Sequence, residues 1–96
     1  MKLRHTLAAG AAALCLAVSA HAAEFITVLT GGTSGVYYPL GVALSQIYGK
    51  ALPNAKTSVQ ATKASAENLN LLQAGRGEIA FTLGDSLNEA WKGNEE

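Results

Sequence analysis

The chain has 96 residues, with seven Lys or Arg and seven Asp or Glu, so its formal net charge at pH 7 is zero. Beyond residue 22 the sequence has no basic patch. This argues against nucleic-acid binding, because neutralising phosphates requires clustered Lys and Arg side chains. The single Cys and both His residues lie within the first 21 positions. The rest of the chain therefore has no residues for a disulfide, a Cys/His zinc site or a histidine-based catalytic triad.

Residues 1–22 are predicted to be a secretory signal peptide. They combine a basic start, an apolar stretch over 7–18 and the A-x-A cleavage pattern Ala20-His21-Ala22. The apolar stretch is too short for a comfortable membrane span, and Leu14 disfavours lipidation of Cys15. Export to the periplasm would leave residues 23–96, with five basic and seven acidic side chains and a net charge of −2.

The first predicted structural unit is a strand over 25–30, a glycine-rich turn and a helix from Pro39 to about Lys50. The helix is predicted from apolar residues spaced i, i+4, i+7, i+8 and i+11 from Leu40. Free N–H groups and the helix dipole favour negative charge at such a helix start. Small turn residues also let a ligand approach the main chain, so this segment is predicted to bind an anion.

The second unit is a strand over 57–61, a polar turn over 62–64 and a helix over 66–74. Ser65 has the side chain of a helix N-cap, because its oxygen can accept from a free first-turn N–H. Gly75 is predicted to end the helix.

The third unit is a strand over 79–83 and a helix over 87–92, with Asp85 or Ser86 as the cap and Trp91 as a core anchor. Strands that alternate with helices of these lengths indicate a parallel sheet with right-handed crossovers. The predicted fold class is therefore α/β, with a parallel sheet as the middle of three layers.

In a parallel sheet the carboxyl ends of the strands share one edge, and ligands bind in the crevice there. Three corners follow the three strands, at residues 30–35, 61–65 and 83–86, and all are small, polar and rich in hydroxyls. They are predicted to converge into half of a pocket that holds an acid group through main-chain donors. Lys63 is the best-placed cation, whereas Arg76 is predicted at the opposite edge.

The glycine turn matches no motif of catalysis or nucleotide binding. Val36 and Tyr37 stand where a P-loop needs Gly and Lys, and Thr33 and Ser34 break the G-x-G-x-x-G spacing. Ser34 also lacks the second glycine of a nucleophile elbow and has no histidine to activate it. Spacing alone leaves two interpretations, a ligand-binding corner and a tight turn that needs glycine for its geometry.

Other side chains at the corners also have structural and ligand-binding interpretations. Adjacent Tyr37 and Tyr38 point about 100° apart on a helix, so one can pack while the other faces the crevice. Capping alone explains Ser65 and is favoured for Asp85, while Asn68 can face solvent or a ligand. No nucleophile with a tuned base is present, which favours reversible binding of a small anion without a cofactor or metal.

A resemblance to the TAXI family of TRAP-transporter solute receptors is carried by two segments, ITVLTGGTSGVYYPLGVALSQIY and TKASAENLNLLQAGRGEIAFTLGDSLNEAWKG. It implies that residues 23–96 form a partial N-terminal lobe of a type II periplasmic binding protein. Such a receptor closes two lobes around a small organic acid, such as a dicarboxylate or a glutamate-like amino acid. It then delivers the ligand to a TRAP-type membrane permease.

The resemblance also places the ligand contacts. They fall on Gly32, Thr33, Ser34, Tyr38, Ser65 and Asn68, with Lys63 and Asp85 as further candidates. Family members are several times longer, so the C-terminal lobe is expected to be missing here. Two alternatives stay open: a fragment of a secreted α/β hydrolase or transferase that uses Ser34, and a nonfunctional truncated receptor.

Overall fold

A computed structural model describes residues 23–93, so the predicted signal peptide lies outside the described residues. Three strands alternate with three helices: β1 (Glu24–Leu29), α1 (Tyr37–Ala51), β2 (Ala55–Gln60), α2 (Ser65–Gln73), β3 (Ile79–Ala80) and α3 (Gly84–Lys92). The strands form a parallel sheet in the order β2-β1-β3. The predicted parallel α/β arrangement is therefore confirmed. Within residues 23–93, none of the helices has the length and apolarity needed to cross a bilayer.

The core lies at the end of the central strand β1. Val28 and Leu29 are fully buried, and successive strand residues point to opposite faces, so each fills one side of the sheet. Thr30 is also fully buried, and its Oγ1 donates to the Gln60 carbonyl over 2.8 Å. Burial of this hydroxyl is tolerated because the hydrogen bond replaces water.

Helix α1 lies close to the sheet because small residues face it. Gly41 and Ser45 are its buried positions, and a Cβ at Gly41 would clash with Thr30 Cγ2 and lie 3.5 Å from Val28 Cγ1. By contrast, Leu40 and Ile47 are 49% and 61% exposed. The helix is where the apolar spacing predicts it, but these two members of the apolar series lie largely exposed, and the helix packs through its small residues instead.

Helix α1 also begins at Tyr37, two residues before the predicted start at Pro39. Proline is tolerated there because N–H groups in the first turn have no intrahelical acceptor to lose. The other end agrees with the sequence, since the helix ends at Ala51, one residue beyond the predicted limit.

The N-cap of α2 is not Ser65, as predicted, but Ala64. Ser65 is the first helical residue, and its Oγ accepts a hydrogen bond from the Leu83 N–H over 3.0 Å. The hydroxyl thus ties α2 to the segment after β3 instead of capping its own helix. Gly75 follows the helix with a φ of 75°, so the predicted glycine stop is confirmed.

Strand β3 is shorter than predicted, with two residues in place of five. The Phe81 N–H still donates to the Leu29 carbonyl, which continues the pairing with β1 for one more bond. Beyond it, the Phe81 carbonyl accepts from Asn68 Nδ2 and the Leu83 N–H donates to Ser65. Side chains of α2 therefore take the main-chain groups that a longer strand would have used.

Helix α3 begins at Gly84, after the N-cap residue Leu83, and ends before Gly93 in a left-handed conformation. The predicted caps are wrong: Asp85 lies inside the helix, where its Oδ1 accepts from the N–H of Ser86. The prediction that Trp91 is a core anchor is also wrong, because this side chain is 88% exposed. Ser86 and Ala90 are the half-buried positions of this helix.

The two faces of the sheet are covered unequally. Under α1, alternate residues of β2 such as Thr57 and Val59 are half-buried. On the other face Lys56 and Ser58 are exposed, and Phe25 keeps 65% of its surface accessible. Within residues 23–93 the predicted three-layer arrangement is therefore incomplete over the β2 side of the sheet.

Candidate ligand-binding site

The three corners meet at the carboxyl edge of the sheet, as the sequence predicts. They border an open cavity of about 240 Å³. Its lining comes from the corner after β1, from the corner after β2 and from the residue that precedes α3: Gly31, Gly32, Gly35, Val36, Tyr37, Ala64, Ser65 and Leu83. Segments far apart in the chain thus share one small space.

The strand order explains why the cavity forms at this point. The chain passes from β1 outward to β2 and then back across β1 to β3. The connections therefore leave in opposite directions on either side of β1. A crevice opens at such a switch point, outside the carboxyl ends of the strands, and this is where open α/β sheets bind ligands.

Asn68 holds the three strand ends together beneath the cavity. Its side chain has no exposed surface. The Nδ2 group donates to the Thr30 carbonyl over 2.6 Å and to the Phe81 carbonyl over 2.8 Å, and Oδ1 accepts from Thr62 Oγ1 over 2.6 Å. These partners lie at the ends of β1, β3 and β2 respectively. One buried amide therefore fixes the relative positions of all three corners.

Ala64 has a backbone conformation that L residues rarely adopt. Its φ is 76° and its ψ is −140°, in a region populated mainly by glycine. Hydrogen bonds hold it on both sides: its N–H donates to Thr62 Oγ1 over 3.0 Å, and its carbonyl accepts from the Asn68 N–H over 2.9 Å. The strained residue stands immediately before α2 and sets the direction in which that helix starts.

Two helix N-termini border the cavity. Tyr37 and Ser65 are the first residues of α1 and α2, and both line it. N–H groups of a first helical turn have no intrahelical acceptor, and the helix dipole adds partial positive charge there. The free N–H groups at these two helix starts are the main-chain donors that the cavity can offer an anionic group, although Pro39 in the first turn of α1 has none.

Ser65 adds a side-chain donor to this wall. It is 9% exposed and lines the cavity. Its Oγ accepts from the Leu83 N–H, while within residues 23–93 its own proton has no acceptor. A hydroxyl can accept and donate together, so Ser65 keeps a hydrogen bond to offer a ligand.

The remaining wall is apolar. The Tyr37 ring stacks on Phe81 with centroids 5.2 Å apart and an interplanar angle of 24°. Val36 and Leu83 flank it and are 72% and 57% exposed. None of the eight lining residues is charged, so the cavity pairs main-chain donors with an apolar surface.

Among the predicted contacts in the glycine turn, only Gly32 lines the cavity. Thr33 and Ser34 are exposed in the turn between Gly32 and Gly35, which the Gly35 N–H closes by donating to the Gly32 carbonyl over 2.9 Å. They lie beside the cavity and not on its wall. Their contact with a ligand stays a prediction.

The other predicted residues divide in the same way. Ser65 lines the cavity, whereas Tyr38 is half-buried outside the lining and its neighbour Tyr37 takes the place expected for it. Lys63 and Asp85 are exposed one and two residues from lining positions. Their contact with a ligand also stays a prediction.

Asn68, expected to face solvent or a ligand, is instead buried beneath the site. Its polar atoms are occupied by Thr30, Thr62 and Phe81. The side chain supports the corners in this structure, and direct contact with a ligand stays a prediction for it too.

The predicted ligand contacts omit the lining residues Val36, Tyr37, Ala64 and Leu83, although Ala64 and Leu83 lie within two of the predicted corners and Tyr37 or Tyr38 was expected to face the crevice. Each lies next to the start of a helix, so a rule that favours helix starts over hydroxyl side chains finds them. The strain at Ala64 has no such signal, because nothing in an alanine indicates a positive φ. Within residues 23–93, no three His, Cys, Asp or Glu side chains cluster as a metal site would require.

The sequence is similar to a known protein family. The model of the NMT1-like family matches residues 28–96. The matched segment begins in the buried part of β1 and includes all three corners, so it contains every residue that lines the cavity.

Proposed function

This chain belongs to the NMT1-like family, a binding-protein family of the periplasmic-binding type, and on that basis we propose that it captures a small organic acid for transport. The observation that carries the proposal is the cavity at the strand ends, which two helix N-termini and the Ser65 hydroxyl supply with donors. This is the arrangement that binds anions in α/β proteins.

The donors at the cavity can supply part of the free energy that useful affinity requires. A hydrogen bond to a charged group contributes about 1.5–3 kcal/mol, while micromolar binding requires about 8 kcal/mol in total. Several main-chain N–H groups together with Ser65 approach this value before the entropic cost of association is subtracted. Burial of the rest of the ligand must supply the remainder.

We further propose that the receptor works in the periplasm with a TRAP-type permease, as a member of the TAXI group. The signal-peptide pattern of residues 1–22 supports export. The TAXI resemblance supports the permease and a second lobe that completes the site. The exposed side chains of Val36 and Leu83 at the cavity are consistent with a surface that another lobe covers.

A catalytic role for Ser34 has less support. Its side chain is exposed in the turn beside the cavity, and the family is one of binding proteins. Nothing in residues 23–93 favours the hydrolase or transferase alternative over binding.

The test is isothermal titration calorimetry of the full chain against L-glutamate, succinate and 4-methylpentanoate. We expect saturable binding of at least one of them. Ser65→Ala should weaken it about tenfold, the equivalent of one hydrogen bond of about 1.4 kcal/mol. Ser58→Ala, an exposed serine on β2 away from the cavity, is the matched control and should bind normally. Absence of binding to all three acids would refute the proposal.

A further inference from the structure

Gly31 lines the cavity, yet within residues 23–93 neither the backbone nor the packing requires a glycine at this position. We infer that Gly31 determines which ligands the cavity admits, because its missing side chain keeps open a gap bordered by the Tyr37 ring and the Ala64 methyl group. This inference rests on the proposed function and assigns a specificity-determining residue to the same cavity.

The backbone at Gly31 does not demand a glycine. Gly75 and Gly93 are the glycines with a positive φ among residues 23–93, and Gly31 is not one of them. Glycine is needed for its conformational freedom at those two helix ends, but not here. An alanine in a compatible backbone would even favour folding, because it restricts the unfolded chain.

Packing does not exclude a side chain at Gly31 either. A Cβ built on this residue would lie 3.5 Å from the Ala64 Cβ, and 3.7 and 3.9 Å from Cδ2 and Cβ of Tyr37. These are ordinary van der Waals distances between carbon atoms. Gly41 is different, since a Cβ there would clash with Thr30. Gly31 therefore lacks the role in helix–sheet packing that Gly41 has.

The same distances show what the missing side chain leaves open. The nearest atoms to the added Cβ all belong to two side chains that themselves line the cavity, those of Ala64 and Tyr37. A methyl group on Gly31 would contact both and take up the gap that they border. In a closely fitting pocket, a difference of one carbon atom changes affinity about tenfold or more.

The borders of the gap are held in place, so they would not move aside for an added methyl group. The Tyr37 ring stacks on Phe81 with centroids 5.2 Å apart. Thr62 holds the other two residues: its Oγ1 accepts from the Ala64 N–H over 3.0 Å, and its N–H donates to the Gly31 carbonyl over 3.1 Å. The added methyl group would therefore take its space from the ligand.

The experiment is calorimetry of the full chain with L-glutamate, succinate and 4-methylpentanoate. We expect Gly31→Ala to weaken every acid that the original chain binds by at least about tenfold. Its urea midpoint should be equal to or above that of the original chain. The matched control is Gly49→Ala, which also adds one methyl group without a clash but lies in α1 outside the cavity lining. It should bind normally.

A double variant tests whether the gap is the cause. Ala64→Gly removes the methyl group nearest to the added one. In that background, Gly31→Ala should weaken binding by less than about threefold, because contacting residues are not additive. An equal loss in both backgrounds overturns the inference.

The other outcomes separate this inference from the proposed function. If the original chain binds an acid and Gly31→Ala binds it equally well, the inference is overturned and the proposed function stands. Loss of the circular dichroism spectrum in Gly31→Ala also overturns it, because the glycine would then serve the fold. Absence of binding of all three acids to the original chain refutes the proposed function, and this inference with it.

Discussion

Asn68 shows how one side chain can organise a site without facing it. Its amide joins main-chain carbonyls at the ends of β1 and β3, and its oxygen holds the Thr62 hydroxyl after β2. Without it, the Thr30 carbonyl would lose a partner in the buried core, and the groups of Thr62 and Phe81 would lose one at half-buried positions. Buried polar groups that lose a partner are costly, so the network links stability directly to the shape of the cavity.

Asn68→Ala should therefore destabilise the fold. We expect a loss of about 2–4 kcal/mol in the free energy of unfolding, since three hydrogen bonds of one buried amide are lost together. Thr62 Oγ1 would still donate to the Thr30 carbonyl. Urea denaturation followed by circular dichroism measures the loss. The control is Asn70→Ala, at an exposed asparagine two residues further along the same helix. It should change the free energy of unfolding by less than about 0.5 kcal/mol. Equal effects of the two substitutions would contradict the role assigned to Asn68.

Ala64 gives a prediction of the opposite sign. A positive φ costs an alanine about 1–3 kcal/mol, whereas glycine adopts it freely at an entropic cost of about 0.5–1 kcal/mol. Ala64→Gly should therefore stabilise the chain by about 1 kcal/mol.

The control for this prediction is Ala66→Gly, two residues on in the first turn of α2. That position is exposed and helical, so glycine should destabilise it by about 0.5–1 kcal/mol. Denaturant midpoints of the two variants should thus move in opposite directions. Destabilisation by Ala64→Gly would show that the backbone at residue 64 is not strained.

At the scale of elements, α1 depends on a glycine that its sequence pattern does not single out. A Cβ at Gly41 would clash with Thr30 and approach Val28 and Val59. Gly41→Ala should separate helix from sheet and cost about 1–3 kcal/mol. In the same helix a Cβ at Gly49 would meet Thr57 Oγ1 at 3.4 Å, an ordinary contact, so Gly49→Ala should stabilise by about 0.5–1 kcal/mol.

Thermal melts of the two glycine variants test this packing. The midpoint of Gly41→Ala should fall and that of Gly49→Ala should rise. If both substitutions raised it, helix propensity alone would govern α1, and the close approach at Gly41 would have no energetic weight.

The order and type of the helices and strands could be predicted from the sequence. Which face of a helix packs against the sheet, and where each element begins and ends, could be predicted only in part. Periodicity finds α1 because apolar residues recur from Leu40, yet the helix packs through Gly41 and Ser45. Strand β3 was predicted too long because side chains of α2 end its pairing after Phe81. These contacts join residues far apart in the chain, which local patterns do not record.

At the scale of the whole molecule, the position of the cavity follows from the sheet topology more directly than from the side chains. Parallel strands bring their carboxyl ends together, so the meeting of three corners could be predicted without knowing which residues line the cavity. Hydroxyl side chains suggested Thr33, Ser34 and Tyr38, but the lining is mainly glycine, apolar residues and helix starts. Main-chain donors leave little signal in a sequence. The location of the cavity could therefore be predicted, whereas most of its lining residues could not.

The small core sets an expectation for the stability of the molecule. Only Val28 and Leu29 are buried apolar side chains among residues 23–93, whereas nine large apolar side chains are at least 38% exposed. Exposed apolar surface contributes little to folding. A chain starting at Ala23 should therefore melt broadly and bind the dye ANS, which loosely packed chains do. A sharp melt without ANS binding would contradict this.

The last prediction concerns the fate of residues 1–22 in the cell. The A-x-A pattern places the cleavage after Ala22, because small residues at its first and third positions fit signal peptidase. Expressed in a bacterium with a periplasm, the chain should appear in the osmotic-shock fraction with Ala23 as its N-terminus by mass spectrometry.

Ala22→Arg should block cleavage and retain the full-length chain with the membrane. His21→Gln, at the tolerant middle position, should be processed normally. Recovery of the unaltered chain at full length in the cytoplasm would remove the basis for a periplasmic receptor, while leaving the cavity and its proposed ligand to be judged by calorimetry.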